Sequence, residues 1–268
     1  IVNHSKVSDY ILGLPRYFVI NYHDALLPRY AGMYATSWAL LNQEKEHGIT
    51  WHIATEKIDS GDILKQVSFS VSENETVLTL NLKCFEAAKE SFSPLIDELA
   101  TNQYRPISQD IHKRTYYGLY QKPTHNGWLN WHDSAENIER LFRALNFGDY
   151  PNALSTLKIS FEAQIYLVEK LRFSTRASHK PAGTLVNITS DELHVATPTG
   201  KVIMSRFKTI QGHYCDVQTV VKKHQLQKGM KLFSPEPSLQ VKFQTLSTEL
   251  SRYEPFWIKD LSSLEPAT

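Results

Sequence analysis

The chain has 268 residues, 41% of them apolar and 21% charged, and its 29 Lys and Arg against 28 Asp and Glu leave a formal net charge of +1. That is apolar material for one large core or two ordinary ones and not the composition of a disordered chain. So small a charge gives no electrostatic case for nucleic acid as a partner. Only Cys84 and Cys215 are present, far apart, which argues against a disulfide scaffold and fits a reducing cytoplasm. No apolar run approaches the roughly 18 residues of a membrane span, and no basic-plus-apolar leader is seen, so no membrane partner is expected. The chain opens on Ile1 rather than Met and reads as a piece of something longer.

Residues 1–16 read as a short helix or loop ending at Leu14-Pro15. The apolar run from Tyr17 predicts a buried parallel strand over 17–22, stopped by Asn21 and His23 and then by turns at Pro28 and Gly32. Tyr34 to Leu41 predicts a short helix. The run from Ile49 to Ala54 alternates as a strand, Lys57 to Asp62 breaks it with turn formers, and Ile63 to Val71 alternates again. Glu75 to Leu99 is the longest helical pattern, with Leu78, Leu82, Phe85, Phe92, Ile96 and Leu99 as one apolar stripe expected to face the sheet. Pro94 predicts a kink or an early stop.

Residues 100–130 lack periodicity and carry Pro106, Pro123 and Gly127, which marks a boundary between domains. A helix then starts at Asp133, with Glu136 in the capping-box position and Ile138, Leu141, Phe142 and Leu145 on its buried face. Beyond residue 155 the pattern turns strand-like. Leu157 to Leu167 is ambiguous in type, whereas 185–188, 193–196 and 202–207 are short strands bounded by Pro and Gly, the spacing of a small barrel or sandwich. A short helix over Asp216 to His224 follows.

Asn21 and His23 stand two apart and point the same way at a strand end, where open α/β sheets place ligands. Asp59 falls in the turn after the next strand. A His near neutral pH can shuttle a proton, an Asn amide can donate to an oxyanion, and a carboxylate can orient the His. The bland readings stay open beside these: a structural His at a strand end, and an Asp that stabilises its own Ser-Gly turn. A metal would need His23 and Asp59 with His52 or Asp62, but no ligand spacing is recognised, so no metal is expected. There is no G-x-S-x-G elbow, no G-x-G-x-x-G and no Walker sequence.

The run from Asn21 to Gly32, then Gly48 to His52, then Ile58-Asp59-Ser60-Gly61-Asp62-Ile63-Leu64 resembles the formyltransferases that use 10-formyltetrahydrofolate, the methionyl-tRNA formyltransferase-like family. His23 and Asp59 are 36 residues apart, which suits the family's spacing. The departure is Asp24-Ala25, where most members have Pro-Ser. The resemblance implies Asn21, His23 and Asp59 as the catalytic residues. It also implies 10-formyltetrahydrofolate as cosubstrate, held near Ile58, Ser60, Gly61 and Asp62.

The runs from Asn126 to Trp131 and Ile138 to Leu145, with Pro151-Asn152-Ala153 and Pro181 to Thr184, are similar to the family's C-terminal domain. The implied fold class is α/β: the C-terminal part of a Rossmann-like formyltransferase domain, its opening portion missing, followed by a small mostly-β open barrel. The expected division is 1–105 truncated catalytic domain, 106–125 linker, 126–235 C-terminal-like domain, and 236–268 a tail or the start of a following synthetase module. The Thr50-Trp51-His52 and Lys57 to Leu64 runs look most like the formylation domains of nonribosomal peptide synthetases. The expected acceptor is therefore the amino group of an aminoacyl thioester on a carrier protein. The alternatives are methionyl-tRNA, an amino-sugar nucleotide, or an inactive formyltransferase-like module that binds a carrier.

Overall fold

The run that ends at Asn21 and His23 becomes β1 (Ile20–His23) in the computed structural model, which describes residues 8–150, 152–262 and 264. The chain divides into two units, residues 1–119 and 120–268. In the first, α1 (Asp9–Gly13) precedes β1, and β2 (Ala31–Gly32) and α2 (Ala35–Leu41) lead to β3 (Glu46–Ile53) and β4 (Ile63–Ser70). The sheet order is β1-β3-β4, and both pairs are antiparallel. The strand predicted as parallel over 17–22 is thus antiparallel and begins later. A parallel pair needs a crossover that returns the chain to the end where the first strand began. Residues 24–45, with only the seven-residue α2, make no such return.

The long helix α3 (Val77–Ala100) is capped by Thr76, whose hydroxyl accepts from the Thr79 N–H, and it runs through Pro94 instead of stopping there. Its buried face is Val77, Leu80, Cys84, Ala87, Ser91 and Leu95. Most of the predicted stripe is turned outward: Leu82, Phe85, Phe92 and Ile96 are exposed, while Leu99 packs against the core. Small residues explain the choice. Cys84, Ala87 and Ser91 let the helix approach the sheet closely, and the Ser91 hydroxyl takes the Trp51 indole N–H at 2.9 Å. With Ile49, Trp51, Leu64, Cys84, Ala87 and Leu95 buried together, this unit has a core of its own.

Much of the stretch 106–125, read from its composition as a linker, is packed within the first unit. Ile107 and Ile63 exchange backbone hydrogen bonds at 2.8 and 2.9 Å, and β5 (Tyr116–Tyr117) pairs in parallel with β2.

In the second unit, α4 (Ala135–Leu145) is capped one residue later than expected. Ser134, not Asp133, accepts from the Asn137 N–H. A sheet ordered β6-β7-β10-β9-β8 follows, built from β6 (Lys158–Phe161), β7 (Gln164–Ser174), β8 (Leu185–Ile188), β9 (Leu193–Thr197) and β10 (Gly200–Thr209). The short β11 (Tyr214–Cys215) pairs with β10, and α5 (Val217–Lys223) is capped by Asp216. Trp131, Ile138, Phe142, Ile159, Tyr166, Val195, Met204 and Phe207 are among the residues that fill this core. The stretch 236–268, expected to be a tail or the start of a following synthetase module, carries α6 (Pro237–Ser262), which is tied to the second unit by an Asn126 Nδ2 to Ser247 Oγ hydrogen bond of 2.9 Å. Among the described residues, no helix is long and apolar enough to cross a membrane.

Candidate active site

The β1–β3 register sets Asn21 opposite His52 and His23 opposite Thr50. The side chains follow the backbone. Asn21 Nδ2 lies 3.2 Å from His52 Nε2, while His52 Nδ1 is 2.9 Å from the Ile53 carbonyl. A carbonyl only accepts, so Nδ1 carries a hydrogen; Nε2 accepts from Asn21 when the ring is neutral and donates toward Asp59 when the ring is protonated. His23 is 5% exposed, and its Nε2 donates to the Tyr30 carbonyl at 2.8 Å. Its Nδ1 faces two carboxylates, Asp59 Oδ2 at 3.6 Å and Asp24 Oδ1 at 3.9 Å. The turn after His23 is pinned by Thr50, whose hydroxyl donates to the Ala25 carbonyl and accepts from the Leu27 N–H.

Asp59 completes the group. Its Oδ2 accepts the Gly32 N–H at 2.8 Å, and its Oδ1 lies 3.5 Å from His52 Nε2. Burial alone would raise its carboxyl. The His52 side chain, the nearby His23 and the Gly32 N–H outweigh burial and hold it down at about 2. A carboxylate of that kind is ionised at any ordinary pH and is a weak base. Behind the turn, His47 donates from Nε2 to the Asp24 carbonyl at 2.8 Å, and burial lowers its pKa.

The residues expected to hold the cofactor form the β3–β4 connection. Gly61 is there for steric reasons: a Cβ at that position would stand 1.9 Å from the Ile53 carbonyl oxygen. The Ser60 hydroxyl donates to the Lys57 carbonyl at 2.8 Å, and Asp62 Oδ1 accepts from the Ser108 hydroxyl at 3.0 Å. Asp59 adopts φ 46°, in the left-handed region. Ile58 is exposed, and its carbonyl accepts from Arg114 at 2.7 Å. The Ser60, Gly61 and Asp62 types thus serve the turn itself. That removes the physical ground for reading a carrier-protein acceptor out of the Lys57 to Leu64 run.

The structure therefore brings Asn21, His23 and Asp59 together, and it adds residues that the sequence reading placed elsewhere. His52 stands between Asn21 and Asp59, where the sequence offered it as a possible metal ligand and as part of a family-like run but with no role in the site. Gln109 and Arg114 reach the Asp59 turn from the stretch taken as a linker. Among the described residues, no group of three or more His, Cys, Asp and Glu is arranged to hold a metal ion.

An amide, an imidazole and an ionised carboxylate converging at a strand end make equipment for acyl-group transfer with acid–base assistance. The comparisons with known proteins agree. Residues 7–96 match the family described as formyl transferase, and residues 122–225 match its C-terminal domain. The chain belongs to the formyl transferase family and carries its catalytic and C-terminal domains.

The expected fold class, with the Rossmann-like portion missing and only the C-terminal part of that domain left, is overturned by the first of these matches, which starts at residue 7. The methionyl-tRNA formyltransferase of Clostridium acetobutylicum is 26% identical over 226 residues, covering 84% of this chain and 70% of that protein. The bifunctional polymyxin resistance protein ArnA of Wigglesworthia glossinidia brevipalpis is 34% identical over 182 residues, covering 68% of this chain and 26% of ArnA. Among solved structures, the sugar 3N-formyl transferase WlaRD is 21% identical with a TM-score of 0.56, covering 70% of this chain and 64% of that one. That likeness is one of fold.

Proposed function

We propose that this protein transfers a formyl group from 10-formyltetrahydrofolate to a primary amine carried by a sugar nucleotide. The observation that carries the reading is the convergence of Asn21, His23, His52 and Asp59 in a chain of this family. The WlaRD structure was obtained in the presence of dTDP and 5-N-formyl-THF, which supports a folate donor and a nucleotide-linked acceptor. It replaces the aminoacyl group on a carrier protein that the sequence resemblance favoured. The net charge of +1 gives no reason to prefer tRNA over the smaller acceptor.

The neutral amine attacks the formyl carbon on N10 of the folate. The carbonyl oxygen becomes an oxyanion, and the carbon–N10 bond then breaks. Asn21 has one amide hydrogen on His52 and makes no other side-chain hydrogen bond among the described residues, so the second hydrogen serves the oxyanion. His23 sits with Nδ1 toward Asp59, and its protonated form offsets the developing charge. Asp59, ionised, orients that ring and does not itself carry the proton. The proton leaving the amine ends on N10 of the departing folate. The turn of residues 58–62 meets the pterin.

The test is a transfer assay with 10-formyltetrahydrofolate and three acceptors: a dTDP-linked amino sugar, methionyl-tRNA, and an aminoacyl-loaded carrier protein. The expected result is formylation of the sugar amine, lost in Asn21→Ala. Transfer to methionyl-tRNA alone would replace the acceptor, and no transfer to any amine would sink the reading.

A further inference from the structure

The Asp59 turn is held from outside. Arg114 donates from one terminal nitrogen to the Asp59 carbonyl and from the other to the Ile58 carbonyl, each at 2.7 Å. Gln109 Nε2 donates to the Gly61 carbonyl at 2.7 Å and to the Asp59 carbonyl at 3.2 Å. Two side chains thus take three carbonyls of one turn, and none of these bonds belongs to a strand ladder.

Asp59 and Gly61 are buried, so their carbonyls need protein partners, whereas Ile58 is exposed and its carbonyl could be satisfied by water. The arrangement also has a cost. Gln109 Oε1 is buried and has no hydrogen-bond partner among the described residues, so the amide is placed for its NH2 at the expense of its oxygen. What the clamp does fix is the backbone on either side of Asp59, a residue in the left-handed region that would relax without support.

The same segment holds the other half of the carboxylate's surroundings. Tyr30 N–H donates to Thr115 Oγ1 at 2.7 Å, and Ala31 N–H donates to the Thr115 carbonyl at 3.0 Å. Met33 N–H donates to the Tyr117 carbonyl at 2.8 Å. Between Ala31 and Met33 lies Gly32, whose N–H is the donor to Asp59 Oδ2, and Tyr30 supplies the carbonyl that holds His23. Residues 109–117 therefore tie together the two loops whose spacing sets the Asp59–His23 distance.

We propose that Gln109 and Arg114 are positioning residues for formyl transfer, fixing the backbone of residues 58–61 so that the Asp59 carboxylate faces His23 and His52. This rests on the formyl-transfer reading above. Arg is the residue that can do it, because its planar fork reaches two carbonyls at once, whereas a Lys ammonium is a single point on a flexible stem.

The test compares Arg114→Ala, Arg114→Lys and Gln109→Ala with the parent in the full chain. Misplacing a reacting group by about 1 Å costs on the order of a hundredfold in rate, so Arg114→Ala should lose kcat on that scale. Added guanidinium ion should restore part of it. Arg114→Lys should fall between, and Gln109→Ala should show a smaller loss of the same kind. Backbone hydrogen exchange should quicken over residues 58–62 and stay unchanged in the core of β3 and β4.

Two outcomes would overturn the proposal. One is parent-like kcat, KM and exchange in Arg114→Ala. The other is a loss that guanidinium does not relieve and that accompanies a general fall in melting temperature. If the parent transfers no formyl group to any amine, the proposed function fails on its own. The exchange pattern of residues 58–62 then still decides whether Arg114 and Gln109 fix the turn.

Discussion

His52 Nε2 lies 3.5 Å from Asp59 Oδ1 and 3.2 Å from Asn21 Nδ2, so one ring nitrogen faces both a carboxylate and an amide. Burial pushes the Asp59 carboxyl up, and His52 is the largest of the influences that overcome it. His52→Ala should therefore raise the Asp59 carboxyl from about 2 toward its ordinary range. It should also cost about 1–3 kcal/mol of stability, because Asn21 and the Ile53 carbonyl lose a buried partner. Carboxyl titration by NMR reads the first effect and denaturant unfolding the second. An Asp59 titration identical in the variant would show that His52 does not set it.

Asn21 is half-buried in β1, and among the described residues its side chain is tied only to His52. Removing one oxyanion donor costs roughly two to three orders of magnitude in kcat. Asn21→Ala should show that loss with KM for folate nearly unchanged, since the interaction belongs to the transition state. A rise in KM with kcat intact would instead make Asn21 a substrate-binding residue.

Asn21, His23 and Asp59 stand out in the sequence as candidates because polar residues interrupt apolar alternation there and turn formers follow, and the family resemblance is what joins them into one site. His52 is not legible in the same way. It continues the alternation of β3, and its role arises only from the cross-strand pairing with Asn21. Sequence reading assigns strands more readily than it pairs them, and with pairing goes direction, so β1 reads as parallel when it is antiparallel. The α3 stripe misleads for a related reason. Leu82 and Phe85 are the stronger apolar signal, but Cys84, Ala87 and Ser91 fit closer to the sheet. Gln109 and Arg114 lie in a stretch without periodicity, and only their reach to three carbonyls reveals them.

The Asp59 carboxyl also sets a pH dependence of stability. Its pKa is about 2 in the folded chain against an ordinary 3.8. The ionised form therefore stabilises the fold fully above the ordinary value, and this contribution drains away as pH falls from there through about 2. The shift corresponds to about 2 kcal/mol. Unfolding free energies measured down that acid window should fall more steeply in the parent than in Asp59→Asn. Parallel curves for the two proteins would exclude Asp59 as the source.

Gly61 marks a close backbone approach in the β3–β4 connection. A Cβ would stand 1.9 Å from the Ile53 carbonyl oxygen, 2.9 Å from its carbon and 3.0 Å from the Thr55 methyl. Two of these three are backbone atoms of a strand that also carries His52, so relief cannot come from a side-chain rotation. Gly61→Ala must displace either the end of β3 or the Asp59 turn. Overpacking of this kind costs about 1–3 kcal/mol or more. The expected outcome is a lowered unfolding midpoint together with a loss of formyl transfer beyond what the remaining folded fraction explains, because the displaced turn carries Asp59 away from His52. Full activity at a parent-like midpoint would mean that the connection is looser than its close approach to Ile53 implies.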